Sequence, residues 1–179
     1  HSRNLMVSLP NPGILDFQDA VYGPITYDLA SLFKDAYIRW EEADILDWLI
    51  RYWENARKAG LPIHTDFGDF YRDYEWMGVQ RHLKVLGIFA RLCHRDGKEG
   101  YLKDMPLVMS YLRRACERYI DLKPLLRELH GKTPAQLFLC NWYRVLADVE
   151  KQIFADPGDH GQRVAEREVH RAPLDRGRL

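Results

Sequence analysis

The spacing of apolar positions changes near residue 26, and that change divides the chain into two kinds of structure. Before it, Leu5-Met6-Val7 and Ile14-Leu15-Asp16-Phe17 are short runs flanking Leu9-Pro10-Asn11-Pro12-Gly13. Two prolines and a glycine in that position break any helix and favour reversal, so the pattern predicts a β-hairpin. From Thr26 onward the period is helical. Thr26 is a suitable cap for a helix whose apolar residues Leu29, Leu32, Phe33, Ala36 and Tyr37 recur at helical spacing. A second helix begins near Glu42, carries Ile45, Trp48, Leu49, Tyr52 and Trp53 on one face, and ends by Gly60, before Pro62. The longest candidate runs from about Asp66 to Cys93, and its broad apolar face predicts a helix central to a bundle. A loop is expected over His94–Gly100, followed by helices at roughly Met105–Tyr119, Leu122–Leu129 and Ala135–Phe154.

After Asp156 the pattern fades. Residues 155–179 are rich in acids and arginines and poor in apolar positions, so a disordered tail is expected beyond a helical body at 1–154. The chain has 179 residues, enough for one sizeable core. Twenty-six Lys and Arg balance 26 Asp and Glu, which argues against binding driven by nucleic-acid phosphates or an anionic membrane. Cys93, Cys116 and Cys140 are widely spaced and odd in number, so they read as free thiols rather than as a disulfide framework or zinc site. With no apolar run long enough to span a membrane and no secretory leader pattern, a cytoplasmic setting is expected.

Candidate chemistry lies on the hairpin. Asn4 stands just before the first strand and Asp16 near the end of the second, so closing the hairpin brings an amide oxygen and a carboxylate to one end. Two hard oxygen donors side by side suit Mg²⁺, which keeps part of its water shell and commonly borrows further ligands from substrate phosphates.

The string His1-Ser2-Arg3-Asn4-Leu5-Met6 resembles the second half of the catalytic loop, H-x-D-x-x-x-x-N, of the aminoglycoside phosphotransferase and choline kinase-like family. Leu15-Asp16-Phe17-Gln18-Asp19-Ala20, with Gly23 and Tyr27-Asp28-Leu29-Ala30 after it, is similar to the metal-binding segment and following helix of that family. A protein kinase would instead show D-F-G where this chain has Asp16-Phe17-Gln18, together with an A-P-E segment. Within the family the chain resembles the bacterial anomeric amino-sugar kinases of cell-wall recycling. The resemblance extends through Met77–Leu92, Arg95-Asp96-Gly97-Lys98 and Gly100-Tyr101-Leu102, about residues 1–130 in all.

The resemblance implies the carboxy-terminal lobe of a protein kinase-like fold of the α+β class, here mainly α with a short amino-terminal β-hairpin. It implies ATP and Mg²⁺ as cofactors, Asn4 and Asp16 as metal ligands, and His1 and Asp28 as supports of the catalytic loop. Asp19 is a candidate second ligand or substrate contact. The catalytic Asp of the family pattern would fall two positions ahead of His1, and an amino-terminal nucleotide lobe earlier still. The 179 residues alone are therefore expected to lack useful turnover. Acceptor selection is expected from the helical body. A muramate-type amino sugar carries a lactyl carboxylate, which makes Arg81, His82, Lys84 and Arg91 of the long helix substrate candidates. Two other readings stand beside this one: the same chemistry on an aminoglycoside, choline or other alcohol, and a helical binding module without catalysis.

Overall fold

The structure, a computed structural model, describes residues 1–16 and 22–131. Asp19, Cys140, the expected helix Ala135–Phe154 and the expected tail 155–179 lie outside the described residues. The amino terminus forms a 3-10 turn, Ser2–Asn4, that leads into strand β1, Leu5–Met6. Strand β2, Gly13–Ile14, returns antiparallel, with Leu5 opposite Ile14 and Met6 opposite Gly13. Five helices follow: α1 Thr26–Phe33, α2 Glu42–Lys58, α3 Phe67–Asp96, α4 Met105–Arg118 and α5 Lys123–Leu129. Short 3-10 turns lie at Glu99–Asp104 and Ile120–Leu122.

The helix boundaries follow from local chemistry. Asp66 caps α3 by accepting from the Asp69 backbone N–H at 3.1 Å. At the other end Gly97 takes a left-handed conformation, φ 65°. Its N–H donates to the Cys93 carbonyl and that of Lys98 to the Leu92 carbonyl, and these two bonds close the helix end. The helix thus runs three residues past the Cys93 end expected from the apolar pattern, because the stop signal is the glycine and not the last apolar residue. Thr26 differs from expectation too. Ile25 occupies the cap position without a side-chain bond, and Thr26 is the buried first residue of α1. Prolines 106 and 124 sit in the first turns of α4 and α5, where the missing N–H leaves no helical bond unmade.

Helix α3 is the axis of the helical body, 30 residues and so about 45 Å long. Its first half packs Phe70, Tyr74 and Met77 against Leu29 and Ala30 of α1 and Ile45 and Leu49 of α2. Its second half buries Val79, Leu83, Leu86 and Phe89 against Val108 and Leu112 of α4 and Leu122 and Leu129 beyond it. Each of these fully buried leucines is worth about 1.5–3 kcal/mol in removal from water. At Gly78 the stem of Lys34, just past α1, lies close to α3, since a Cβ there would lie 3.3 Å from the Lys34 Cδ. Among the described residues no helix is long and apolar enough to cross a membrane.

Candidate functional site

The hairpin joins the two candidate metal ligands through its register. The Leu15 N–H donates to the Asn4 carbonyl at 2.8 Å, extending the β1–β2 ladder by one step, and this sets Asp16 diagonally across from Asn4. The Asn4 Nδ2 group donates to Asp16 Oδ2 at 3.2 Å. Asp16 holds φ 59°, a left-handed conformation that a β-carbon makes costly by about 1–2 kcal/mol and that Asp tolerates better than most residues. Strain of this kind gathers where side-chain direction matters. A half-turn about χ2 of Asn4 exchanges its NH₂ for its carbonyl oxygen, which sets two oxygen donors side by side. Among the described residues no group of three or more His, Cys, Asp and Glu gathers as a metal cage. A two-ligand protein site is the form Mg²⁺ uses when phosphates and water complete its octahedron, so the donor set fits that ion.

Two supports, one buried and one half-buried, hold this loop. Asp35, just beyond α1 and only 2% exposed, accepts from the Ser2 backbone N–H at 2.9 Å and from the Ser2 hydroxyl. The Tyr37 ring meets the His1 ring edge-on at 5.7 Å and lies 3.6 Å below the Arg3 guanidinium. His1 thus packs against the support. The carboxylate that touches the loop is Asp35, whereas Asp28, the expected brace, is exposed in the first turn of α1. The helix separates the two: Asp28 lies at its amino-terminal end and the loop docks at its carboxy-terminal end.

The four basic substrate candidates on α3 do not gather at one site. The Arg81 Nη1 donates to Tyr27 Oη at 3.1 Å, which ties α3 to α1. His82 is buried, its Nε2 on the Lys34 carbonyl at 3.1 Å and its ring stacked on Tyr111 at 5.3 Å. Because a carbonyl only accepts, Nε2 carries the proton, and the buried Nδ1 finds no partner. Burial, with the Lys34 ammonium nearby, lowers the His82 pKa to about 3. Lys84 and Arg91 face solvent.

A pocket of about 190 Å³ opens elsewhere, between the segment after α1, the start of α2, and facing positions of α3 and α4. Its wall holds a chain of charges that the linear pattern did not disclose. Lys34 pairs with Glu75, both nearly buried. Glu75 also takes a hydrogen bond from Arg118 at 2.9 Å. Arg118 continues to Glu42 at 2.7 Å and to the Tyr71 hydroxyl at 2.7 Å. Arg114 reaches the other Glu42 oxygen only at 3.6 Å. Burial pushes the Lys34 pKa down, against the pull of Glu75. Hydrogen bonding from Arg118 holds Glu42 below the usual carboxylate range. Four cations and three carboxylates line the pocket, and among the described residues Arg39 and Glu41 form no ion pair. Three wall residues, Trp40, Tyr74 and Tyr111, each bury a polar atom that has no hydrogen-bond partner. Each such orphan costs about 1–3 kcal/mol. The one sequence clue to this wall was Glu75, an acid set within the apolar face of α3.

The described residues thus combine a braced loop ending in Asn, a strand return ending in Asp and a helical body. Residues 1–68 match the model of the phosphotransferase enzyme family. The chain is 62% identical over 123 residues to the N-acetylmuramate/N-acetylglucosamine kinase of Neisseria meningitidis serogroup B, a match covering 69% of this chain and 37% of that one. It is 55% identical over 135 residues to the Pseudomonas putida protein of the same name, covering 75% and 38%. The Pseudomonas aeruginosa protein of that name is 55% identical over 123 residues, covering 69% and 36%. The matched segment thus spans between a third and two fifths of these relatives' length. No solved structure matches the chain.

Proposed function

We propose that this chain carries the cation-binding arm of an ATP-dependent sugar kinase that phosphorylates the anomeric hydroxyl of an N-acetyl amino sugar of the muramate and glucosamine type. The observation that carries the reading is the meeting of Asn4 and Asp16 at 3.2 Å across the hairpin. Phosphoryl transfer asks a protein mainly for positioning and charge neutralisation. Asn4 and Asp16 would hold Mg²⁺, which supplies positive charge to the nucleotide phosphates. Ser2, Asp35 and Tyr37 keep Asn4 in place, so that loop ordering is complete before substrates arrive. The names of the relatives support the amino-sugar acceptor. The pocket supports it over an aminoglycoside, because a wall with more cations than carboxylates repels a polycation.

The test has two parts. Titrating Mn²⁺ as a magnesium stand-in, followed by electron paramagnetic resonance in the presence of ATP, should show a site that Asp16→Asn weakens by at least tenfold. In a coupled kinase assay on the protein at its relatives' full length, the same substitution should lower kcat on the order of 10²- to 10³-fold, the usual cost of removing a group that stabilises transition-state charge. Equal Mn²⁺ binding and undiminished turnover in Asp16→Asn would remove the proposal. Faster turnover on aminoglycosides than on amino sugars would remove the acceptor assignment.

A further inference from the structure

We infer that the pocket between α1, α2, α3 and α4 is a carboxylate-reading subsite, in which Arg39 and Arg114 select an acidic amino sugar over its neutral counterpart. The inference deepens the kinase reading above and rests on it.

The charge chain decides which groups are free to meet a ligand. Lys34 is buried against Glu75, and Arg118 already donates to Glu75, Glu42 and the Tyr71 hydroxyl. Both charges are therefore already paired with carboxylates. Arg114 is half exposed and holds Glu42 only loosely, at 3.6 Å. Arg39 is exposed and, among the described residues, has no ion-pair partner. Two guanidinium groups at one rim can grip a planar carboxylate with paired N–H donors, which an ammonium cannot do.

Size and surroundings narrow the ligand further. Ligand pockets commonly run from about 300 Å³ upward, and this one is about 190 Å³. It therefore takes part of a small molecule, such as an acidic side arm, and leaves the rest of the sugar outside. Three of its lining residues, Trp40, Tyr74 and Tyr111, also bury a polar atom that has no hydrogen-bond partner. Lys34 and Asp35 tie the pocket to the candidate catalytic loop: Lys34 lines the pocket, and the next residue, Asp35, accepts both Ser2 bonds. A sugar whose acidic arm enters the pocket is thereby placed beside the loop that ends in Asn4.

The experiment is calorimetric titration of N-acetylmuramate and N-acetylglucosamine, without nucleotide, into the full chain and its variants. The two sugars differ by the lactyl carboxylate, so they isolate its contribution. Arg39→Gln and Arg114→Gln should each weaken N-acetylmuramate about tenfold, the scale of one charge-assisted contact. N-acetylglucosamine should change by less than twofold. Both residues are exposed, so the variants should keep their unfolding midpoints, and a thermal melt checks this. Equal loss for both sugars, or an unchanged preference in the double variant, overturns the inference. Asp16→Asn separates it from the kinase reading: it should keep the sugar preference while losing Mn²⁺ binding in the presence of ATP. Unchanged Mn²⁺ binding in Asp16→Asn with an intact arginine effect overturns the kinase reading alone, and the reverse pattern overturns the pocket alone.

Discussion

Lowering the pH from 7 to 5 should destabilise this lobe through His82, and the size of the loss follows from the ring's setting. Nε2–H donates to the Lys34 carbonyl at 3.1 Å, the ring stacks on Tyr111, and Nδ1 is buried with no acceptor for a second proton. The lysine ammonium and Arg81 add repulsion to the cost of burial, and the pKa falls from 6.5 to about 3. A histidine depressed in the folded state is neutral there while its unfolded counterpart takes up a proton below pH 6.5. The stability it contributes is full above that value and declines as pH falls toward about 3. The slope approaches about 1.4 kcal/mol per pH unit, so 1.5 units of travel below 6.5 removes about 2 kcal/mol by pH 5. The assay is urea unfolding of the wild type and of His82→Gln across pH 5–8. The glutamine amide can still donate to the carbonyl but does not titrate. Other groups, including Asp73, whose pKa burial raises, and Glu42, are common to both proteins and cancel in the difference. The wild type should lose about 2 kcal/mol more than the variant between pH 7 and 5. Ring ¹⁵N shifts should report a neutral Nε2–H tautomer throughout. Parallel stability curves, or a ring that titrates near 6.5, would refute this account of the site.

Two more substitutions test the supports of the proposed site. Glu75→Gln removes the carboxylate from a buried pair and should cost about 3–5 kcal/mol by urea unfolding. Glu42→Gln breaks the exposed end of the same chain and should cost about 1 kcal/mol or less. Equal costs would mean that the two ends of the network are not energetically distinct. Asp35→Ala withdraws the acceptor of both Ser2 bonds, at about 1–3 kcal/mol for the donors left behind. Amide exchange at Ser2–Asn4 should then quicken at least tenfold while the α3 and α4 cores stay protected. Unchanged exchange would show that Tyr37 alone holds the loop.

What could be seen in the residue order was whatever is local. The hairpin brings Asn4 to Asp16 across 12 positions, and its prolines and glycine announce the reversal. The five described helices follow from apolar spacing that the packing of α3 then uses on both halves. The Thr26 hydroxyl suits a cap position in general, but the packing of α1 buries Thr26 one residue further in. Contacts across longer separations had no linear signature. Ser2 meets Asp35 across 33 positions, Lys34 meets Glu75 across 41, and Arg118 meets Glu42 across 76. Asp28 shows the same limit, since a helix start attracts acids by its dipole and gives no hint of which end faces the loop.

Lys34 and Asp35 explain why so much depends on those long-range contacts. Helix α1 ends by delivering two adjacent charges to opposite tasks, the ammonium to the buried Glu75 of the pocket wall and the carboxylate to Ser2 of the loop. His82 fixes the backbone between them by holding the Lys34 carbonyl, and Gly78 lets the lysine stem pass close to α3. A displacement at either charge is therefore transmitted across a single peptide unit of fixed geometry. The proposed acceptor subsite and the proposed cation arm are thus positioned by one backbone segment, which is the arrangement an in-line transfer between two separately bound substrates requires.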